Sequence, residues 1–412
     1  MTFHCRFCKH PLSATFADLG MSPVSNDYVP AEMAESMEPF FPLKAYVCGE
    51  CWLVQLGGFD AAERLFRDDY AYFSSYSDSW LKHARDYAAA AIEREELDAN
   101  SLVLEIASND GYLLQYFKAA GVRVLGVEPT ANTARVAHTC HGIESKVAFF
   151  GRQTAQELAD AGVQADLMAA NNVLAHVPDL NDFVSGYPLV LKRGGVANVE
   201  FPHLLRLMED RQFDTIYHEH YSYLSFGFVK RLFAEHGMRV YDVEELPTHG
   251  GSLRVYVCHD DDVARPDTPR ATEMLQRESE AGLQDLDTYG RFSRIPAEVK
   301  CDLLDFLIAA HREGKKVAAY GAPAKGNTLL NYCGVKTDLI AFTVDRSPHK
   351  QGRLLPGSRI PILPPEQIAV EKPDFVVILP WNLKDEIMEQ MKQIREWGGR
   401  FVTPIPSVQV YD

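Results

Sequence analysis

The chain has 412 residues, 46% of them hydrophobic and 24% charged, a globular composition long enough for two or three cores at roughly 100 to 200 residues per domain. Its formal net charge of −16 sets up a field that repels polyanions, so nucleic acid is not an expected partner. No apolar run reaches the ~20 residues of a membrane span, and the first residues lack the basic and apolar regions of a secretory signal, so a cytoplasmic protein without a membrane partner is expected.

Two CxxC pairs come first in the chain, Cys5-Arg6-Phe7-Cys8 and Cys48-Gly49-Glu50-Cys51. Each turn can aim two thiolates at one ion, and two turns complete the tetrahedral sulfur shell of a structural Zn²⁺ site with no position left open for catalysis. Tyr46-Val47 before the second pair and Trp52-Leu53-Val54 after it read as a hairpin. Redox pairs or disulfides are the competing reading, disfavoured in a reducing compartment. Cys140, Cys258, Cys301 and Cys333 stand singly and are expected to be buried as small hydrophobes.

Residues 70 to 80 form a hydroxyl-rich aromatic run that leads into a helix over 81–96. Tyr72, Tyr76 and Ser79 offer a face that can close over a substrate, while packing between domains explains Tyr72, Phe73 and Trp80 equally well. A strand over 102–106, the turn Ala107-Ser108-Asn109-Asp110-Gly111, a helix through Leu113, Leu114 and Phe117, and a second strand ending in Glu128-Pro129 follow. Glu128 then stands at the carboxyl end of the neighbouring strand, where it can accept both ribose hydroxyls of an adenosine cofactor. The unit resembles the class I S-adenosylmethionine methyltransferases, whose first motif is E/DxGxGxG. Glu105 and Gly111 match it, while Ala107 and Asn109 replace two glycines. A dehydrogenase needs more glycine for close approach to a pyrophosphate, which favours a cofactor without one.

Residues 165–170 read as the fourth strand, and Asn171-Asn172-Val173-Leu174-Ala175-His176-Val177-Pro178-Asp179 as the loop and helix after it. In class I methyltransferases this run contacts the methionine portion of the cofactor, which Asn171 and Asn172 suit. Lys192-Arg193-Gly194-Gly195 is the turn before a fifth strand.

The run Thr215-Ile216-Tyr217-His218-Glu219-His220-Tyr221-Ser222-Tyr223 is dense in titratable and hydroxyl groups, the mark of a pocket wall. It is no HExxH metal motif, because Ser222 stands where the second histidine must be. On a strand Tyr217, Glu219 and Tyr221 share one face and His218 and His220 the other; on a helical turn Tyr217 and Tyr221 align. The sequence leaves that choice open. His249-Gly250-Gly251-Ser252 precedes a strand and reads as a substrate-side loop or a plain strand entry.

Beyond residue 286 the pattern is helix 299–312 with Leu303, Phe306, Leu307 and Ala310 on one face, strand 316–320, and a loop of small residues with Lys325 and Asn327 at a helix start. A strand over 339–344, another over 375–379, a helix over 383–397 and a last strand at 401–402 follow. Parallel α/β order results, and a lysine at a helix N-terminus suits a phosphate.

Taken together, the cysteine pairs, the turn after Glu105, the segment 171–179, the Tyr217 to Ser225 run and the loop 321–332 resemble the bacterial sugar C-methyltransferases that act on nucleotide-linked keto-deoxysugars, including the dTDP-sugar C-3 methyltransferases. The resemblance implies an α/β fold of three parts. They are a zinc-binding domain over 1–70, a class I methyltransferase Rossmann-like domain over 71–285, and a C-terminal Rossmann-like domain over 286–412 that helps form the nucleotide-sugar site. It also implies S-adenosylmethionine as cofactor, His220 as base, and active-site roles for Tyr217, Glu219 and His176, with Tyr217 or His176 bonding a developing oxyanion and Glu219 orienting an imidazole or a sugar hydroxyl. Tyr221 is expected in the substrate pocket and a monomer is the simplest assembly. The competing readings are a zinc-ribbon binding protein with inactive Rossmann-like halves and a nucleotide-sugar oxidoreductase, the second disfavoured by the absence of GxGxxG in the last domain.

Overall fold

The protein is described by a computed structural model that covers residues 3–58 and 73–412; Tyr72 lies outside the described residues. The first strands are β1 (Ala14–Ser22), β2 (Val29–Pro30), β3 (Phe41–Val47) and β4 (Val54–Leu56). Alternate residues of β3, Leu43, Ala45 and Val47, are buried, as the period of two requires for a sheet with one core face. β3 pairs antiparallel with β1 and with β4, and the second CxxC turn is the β3–β4 connection.

Next come β5 (Leu102–Ile106), β6 (Arg123–Glu128), β7 (Ser145–Val147), β8 (Ala165–Asn171) and β9 (Leu191–Pro202), joined by helices and mutually parallel. β5 is buried at every residue, which is why it reads as an unbroken apolar run rather than an alternating one. β10 (Ser222–Tyr223) leaves this sheet to pair with β4. β11 (Met238–Leu246) and β12 (Ser252–His259) then close the sheet as an antiparallel hairpin on β9, giving the order β11-β12-β9-β8-β5-β6-β7. The order reverses between β5 and β8, so their carboxyl ends flank the crevice where doubly wound sheets take ligands.

The C-terminal part holds β13 (Val317–Tyr320), β14 (Thr343–Val344), β15 (Arg353–Leu354), β16 (Ile362–Leu363), β17 (Phe375–Ile378), β18 (Arg400–Thr403) and β19 (Gln409–Tyr411). Six of these form a sheet of order β16-β14-β13-β17-β18-β19, parallel except for β19, while β15 pairs with β2. Its reversal point lies between β13 and β17. The helix expected over 299–312 begins earlier, spanning Ile295–Arg312, and buries Val299, Leu303, Leu307 and Ala310; Phe306 is half-buried at the edge of that stripe. The helix expected over 383–397 tightens after Gln390 into a 3₁₀ segment, Lys392–Trp397, and the strand expected over 339–344 is reduced to β14.

The N-terminal residues divide their burial between two cores. Cys5, Phe7, Cys48, Cys51 and Leu53 pack with the seven-stranded sheet, whereas Phe16, Leu43, Ala45 and Val47 pack with Leu303, Leu307 and Leu329 of the C-terminal helices. Of the single cysteines, Cys258 and Cys333 are buried, but Cys140 and Cys301 are exposed. The expectation of burial fails for these two because helical periodicity sets them outside the core stripes of Ala131–His141 and Ile295–Arg312. Among the described residues no helix is long and apolar enough to cross a membrane.

Candidate active site

The four thiols of Cys5, Cys8, Cys48 and Cys51 converge, every sulfur within 4.8 Å of the others. A tetrahedral ZnS₄ shell with bonds of about 2.3 Å has sulfurs ~3.8 Å apart, and the Cys5–Cys51 and Cys8–Cys48 separations are both 3.5 Å. None of the cysteines is disulfide-bonded. The Gln55 amide donates to Cys5 Sγ at 3.2 Å, a contact that favours the thiolate, so the donor set fits zinc and leaves no ligand position for catalysis.

At the carboxyl end of β5 the chain takes left-handed conformations at alternate residues: Ala107 (φ 55), Asn109 (φ 48) and Gly111 (φ 81). The turn keeps the backbone of a three-glycine loop although only the last glycine remains. A non-glycine residue there costs roughly 1–2 kcal/mol. The surroundings impose it: Ala107 N–H donates to Val127 O at 2.7 Å, Asn109 N–H donates to the Glu128 carboxylate at 2.8 Å, and Asn109 Oδ1 accepts from Ser74 N–H at 3.0 Å. Gly111 has a second constraint, since a Cβ would meet Ile143 Cδ1 at 2.8 Å and Ala137 Cβ at 3.3 Å. Gly111→Ala is therefore expected to lower stability by about 2–4 kcal/mol, read as a fall in thermal midpoint, while Ala107→Gly leaves the midpoint and cofactor affinity near those of the parent.

Glu128 ends β6 almost fully buried and also accepts from Thr130 N–H at 2.9 Å and from the Thr130 hydroxyl; burial pushes its carboxyl above the usual range. Glu105 lies beneath the turn, fully buried, with its pKa driven up by desolvation. Asn171 closes β8 beside Tyr112. Asn172 is left-handed (φ 56), its N–H donates to Glu200 O at 2.7 Å, and its side-chain oxygen and nitrogen are buried without a hydrogen-bond partner among the described residues. A carboxylate at one strand end, a sharp turn at the next and an unsatisfied amide at the third suit a ligand with ribose hydroxyls and an amino-acid head.

The Tyr217 to His220 run is neither strand nor helix. After the 3₁₀ turn Phe213–Thr215, a tight turn closed by His220 N–H on Tyr217 O (2.9 Å) brings the rings of Tyr217 and His220 together at 4.0 Å. His220 Nδ1 lies 2.9 Å from Thr215 O. A carbonyl only accepts, so Nδ1 carries the proton and Nε2 holds a lone pair, which accepts from the Tyr217 hydroxyl at 2.7 Å. Desolvation drives His220 well below its ordinary pKa, with the neighbouring His176 and His249 and the Lys325 ammonium adding to the effect and the Thr215 carbonyl opposing it. His176 meets it edge-on, ring centres 4.7 Å apart.

By the same reasoning His176 Nδ1 donates to Glu219 O at 2.9 Å, and burial lowers its pKa to about 4. Its Nε2 thus carries no proton near neutrality, and the expected oxyanion donation from His176 is not available. Glu219 points away from both imidazoles. Its carboxylate takes both oxygens' bonds from Asn26 Nδ2 (2.7 and 2.9 Å) and burial pushes it up to about 7, Lys350 opposing. A buried carboxyl with a raised pKa adds most to stability below its unfolded value and loses that contribution as pH rises through about 7. Glu219→Gln is expected to gain on the parent by about 2–3 kcal/mol between pH 5 and pH 8, measured by paired denaturant titrations.

Other expected residues fall outside the cluster. Tyr221 is fully buried beneath the Arg6 guanidinium, 5.0 Å from its ring centre, because its backbone carbonyl is anchored to Leu56 N–H of the zinc lobe at 3.0 Å. Asn327 is 1% exposed and donates to Ser25 O at 2.6 Å; it ties two segments rather than facing a ligand. Ser79 is exposed and bonded to Ser77, which caps the helix Asp78–Arg94. Tyr76 is exposed, with its hydroxyl 3.3 Å from His349 Nε2. Lys325 does face the cluster: its ammonium donates to Asn382 Oδ1 at 2.7 Å, sits 4.1 Å from the Trp381 ring centre, and burial lowers its pKa to about 8. Asp214, pushed up to about 6 by burial, accepts from Trp381 Nε1 at 2.8 Å. Sequence reasoning missed Asp214 and Trp381, which carry no motif and are adjacent only because β13 and β17 open onto the 3₁₀ turn.

A seven-stranded doubly wound sheet with this turn, this crevice and a tethered four-cysteine lobe defines an S-adenosylmethionine-dependent methyltransferase with a zinc-binding domain. Family models match as "Putative zinc binding domain" over residues 5–66, "Methyltransferase domain" over 80–243 and "C-methyltransferase C-terminal domain" over 247–406. The chain is 37% identical over 409 residues to the C-methyltransferase NovU of Streptomyces niveus, covering 98% of this chain and 96% of that one, and it belongs to that C-methyltransferase family. A ubiquinone biosynthesis O-methyltransferase of Chelativorans sp. (strain BNC1) is 31% identical over 124 residues, 29% of this chain and 49% of its own. An S-adenosylmethionine-dependent methyltransferase structure from Clostridium acetobutylicum ATCC 824 covers 45% of this chain and 93% of its own at 13% identity and a TM-score of 0.36.

Proposed function

We propose that the protein methylates a carbon of a nucleotide-linked 4-keto-deoxysugar, dTDP-linked and at C-3, with His220 as the base. The observation that carries this reading is the fixed tautomer of His220, which presents the Nε2 lone pair in a half-buried site with the Tyr217 hydroxyl against it. A saturated carbon is no nucleophile, but a neighbouring carbonyl makes its C–H acidic. Once the acceptor displaces the Tyr217 hydroxyl from it, His220 Nε2 takes that proton, the C–H pair becomes the C=C bond of the enolate as the carbonyl π pair moves onto oxygen, and the enolate carbon then forms the new C–C bond. S-adenosylmethionine supplies an electrophilic methyl on a sulfonium, displaced in line.

The chain's own residues bind and orient. Glu128 takes the ribose hydroxyls, the turn of Glu105, Ala107, Asn109 and Gly111 approaches the cofactor backbone, and Asn171 and Asn172 take its amino-acid portion. Tyr217 holds the base in register. Glu219 acts as a positioning residue that pins the turn to Asn26. Lys325 and the small-residue loop of the third sheet favour the anionic end of the nucleotide sugar, with Tyr76 on the entry side. The parts 1–70, 71–285 and 286–412 then divide zinc, cofactor and nucleotide-sugar binding. Incubation with S-adenosylmethionine and dTDP-, GDP- or CDP-linked 4-keto sugars is expected to give one methyl gain by mass, greatest for a dTDP-linked sugar. Cofactor binding with no gain on any of them would sink the sugar assignment.

A further inference from the structure

His249 lies in the turn Thr248–Gly250 between β11 and β12, with φ 55 and ψ 18, a left-handed conformation costly for a β-carbon residue. Two glycines follow it, both at positive φ. A Cβ at Gly250 would meet Trp381 Cη2 at 2.6 Å, and one at Gly251 would meet Arg206 Cγ at 2.8 Å. The turn is pinned on both sides. Thr248 Oγ1 donates to Glu200 Oε1 at 2.9 Å, and Gln212 Nε2 donates to Gly250 O at 2.7 Å. The imidazole is held edge-on to Trp80, ring centres 5.0 Å apart, with Nε2 buried and without a hydrogen-bond partner among the described residues. A strained backbone that buries an unsatisfied polar atom has two costs and no structural return, the pattern of a functional group waiting for a ligand.

Its anchors say which ligand. Glu200 lies near the carboxyl end of β9, and its carbonyl holds Asn172 at the cofactor crevice. Trp381, against which Gly250 packs, is bonded to Asp214 and lies under the Lys325 ammonium; Asp214 precedes Thr215, whose carbonyl fixes His220. His249 therefore stands between the cofactor side and the base, where a methyl acceptor must sit. Of the two groups first expected to hold the oxyanion, His176 Nε2 carries no proton, and the Tyr217 hydroxyl rests on the His220 lone pair until the base is engaged, so the site has room for a further donor. Burial, with the Lys325 charge, lowers His249 to about 4, so it is neutral in use and can offer an Nε2–H.

We infer that His249 is a further catalytic residue, its Nε2–H donating to the acceptor's carbonyl oxygen as the enolate forms. The inference rests on the keto-sugar reading above. As His220 removes the C–H proton, the bond's electron pair becomes the enolate C=C bond, the carbonyl π pair passes to oxygen and charge grows where the His249 donor lies; the enolate carbon then takes the methyl and the sulfonium sulfur leaves with the C–S pair.

The left-handed backbone makes Gly and Asn the variants least prone to unfold, and Asn retains an N–H donor. Cofactor affinity is measured by calorimetry, and solvent deuterium uptake and methyl transfer are followed by mass on a dTDP-linked 4-keto-6-deoxyhexose. His249→Gly is expected to bind S-adenosylmethionine within about twofold of the parent and to lose uptake and kcat together by about 10²-fold, with His249→Asn recovering about tenfold of that loss. Uptake and kcat within about threefold of the parent in His249→Gly, or a rise in KM with kcat unchanged, overturns the inference alone. No uptake and no methylation by the parent protein overturns the carbon-acceptor reading and this inference with it.

Discussion

His220→Asn is expected to bind S-adenosylmethionine as the parent does, while solvent exchange at the acceptor carbon and methyl transfer fall together by about 10³-fold or more, within reach of general-base losses. The two readouts separate base from bystander. A residue that only shapes the pocket raises KM and leaves the exchange-to-transfer ratio free to vary, whereas loss of the base stops the step both share. Asn at this position keeps a donor for Thr215 O but has no lone pair of comparable basicity at Nε2. Tyr217→Phe removes the hydroxyl that Nε2 accepts from and is expected to lose less, because the imidazole stays fixed by Nδ1. The pH profile has a definite sign. Since His220 lies well below its ordinary pKa, it is unprotonated across the neutral range, and activity should fall only at pH values well below the ordinary histidine range, where the base acquires its proton. Exchange that survives in His220→Asn would move the base to another residue, with His176, whose ring meets His220 edge-on, the next candidate.

Much of this site was legible in the sequence because its pieces are local. Four cysteines in two short turns admit few arrangements, and the converged sulfurs follow from spacing alone. The strand, turn, helix and strand around Gly111 could be read from apolar runs, and the missing glycines weakened only the motif, not the fold: Ala107 and Asn109 take the same left-handed conformation because Val127 O, Glu128 and Ser74 hold them there. The limits came from pairings that periodicity does not encode, most of them distant in sequence. Which face of the Tyr217 to Tyr221 run looks inward depends on a carbonyl at Thr215 and on Leu56 across the zinc lobe, and periodicity carries no information on either. Asn327 reads as a phosphate-loop residue until Ser25, some three hundred residues away, is placed against its amide. His249 could be seen as part of a glycine-rich loop, but its strain and its orphaned nitrogen exist only in three dimensions.

Removal of zinc is expected to abolish catalysis without touching a catalytic group. Elemental analysis should find about one ion per chain, and stripping it with a chelator, or Cys51→Ser, should lower the thermal midpoint by more than 10 °C. The reason is scale. A structural zinc shell contributes on the order of 10 kcal/mol or more, comparable to the whole stability of a domain, and here Cys5, Cys48 and Cys51 occupy the same core as the methyltransferase sheet. The route to the active site is short. β4 follows directly on the second cysteine turn and pairs with β10, Leu56 N–H holds Tyr221 O, and Arg6, between the first two cysteines, covers the Tyr221 ring. Those contacts fix the chain immediately after His220, so when the zinc turns loosen, the Tyr217–His220 pair loses one of its two supports and the exchange reaction should disappear along with methylation. His220→Asn provides the contrast, keeping its zinc and its thermal midpoint while losing the chemistry. A metal-free protein with the parent's midpoint and exchange rate would break the link between the two lobes.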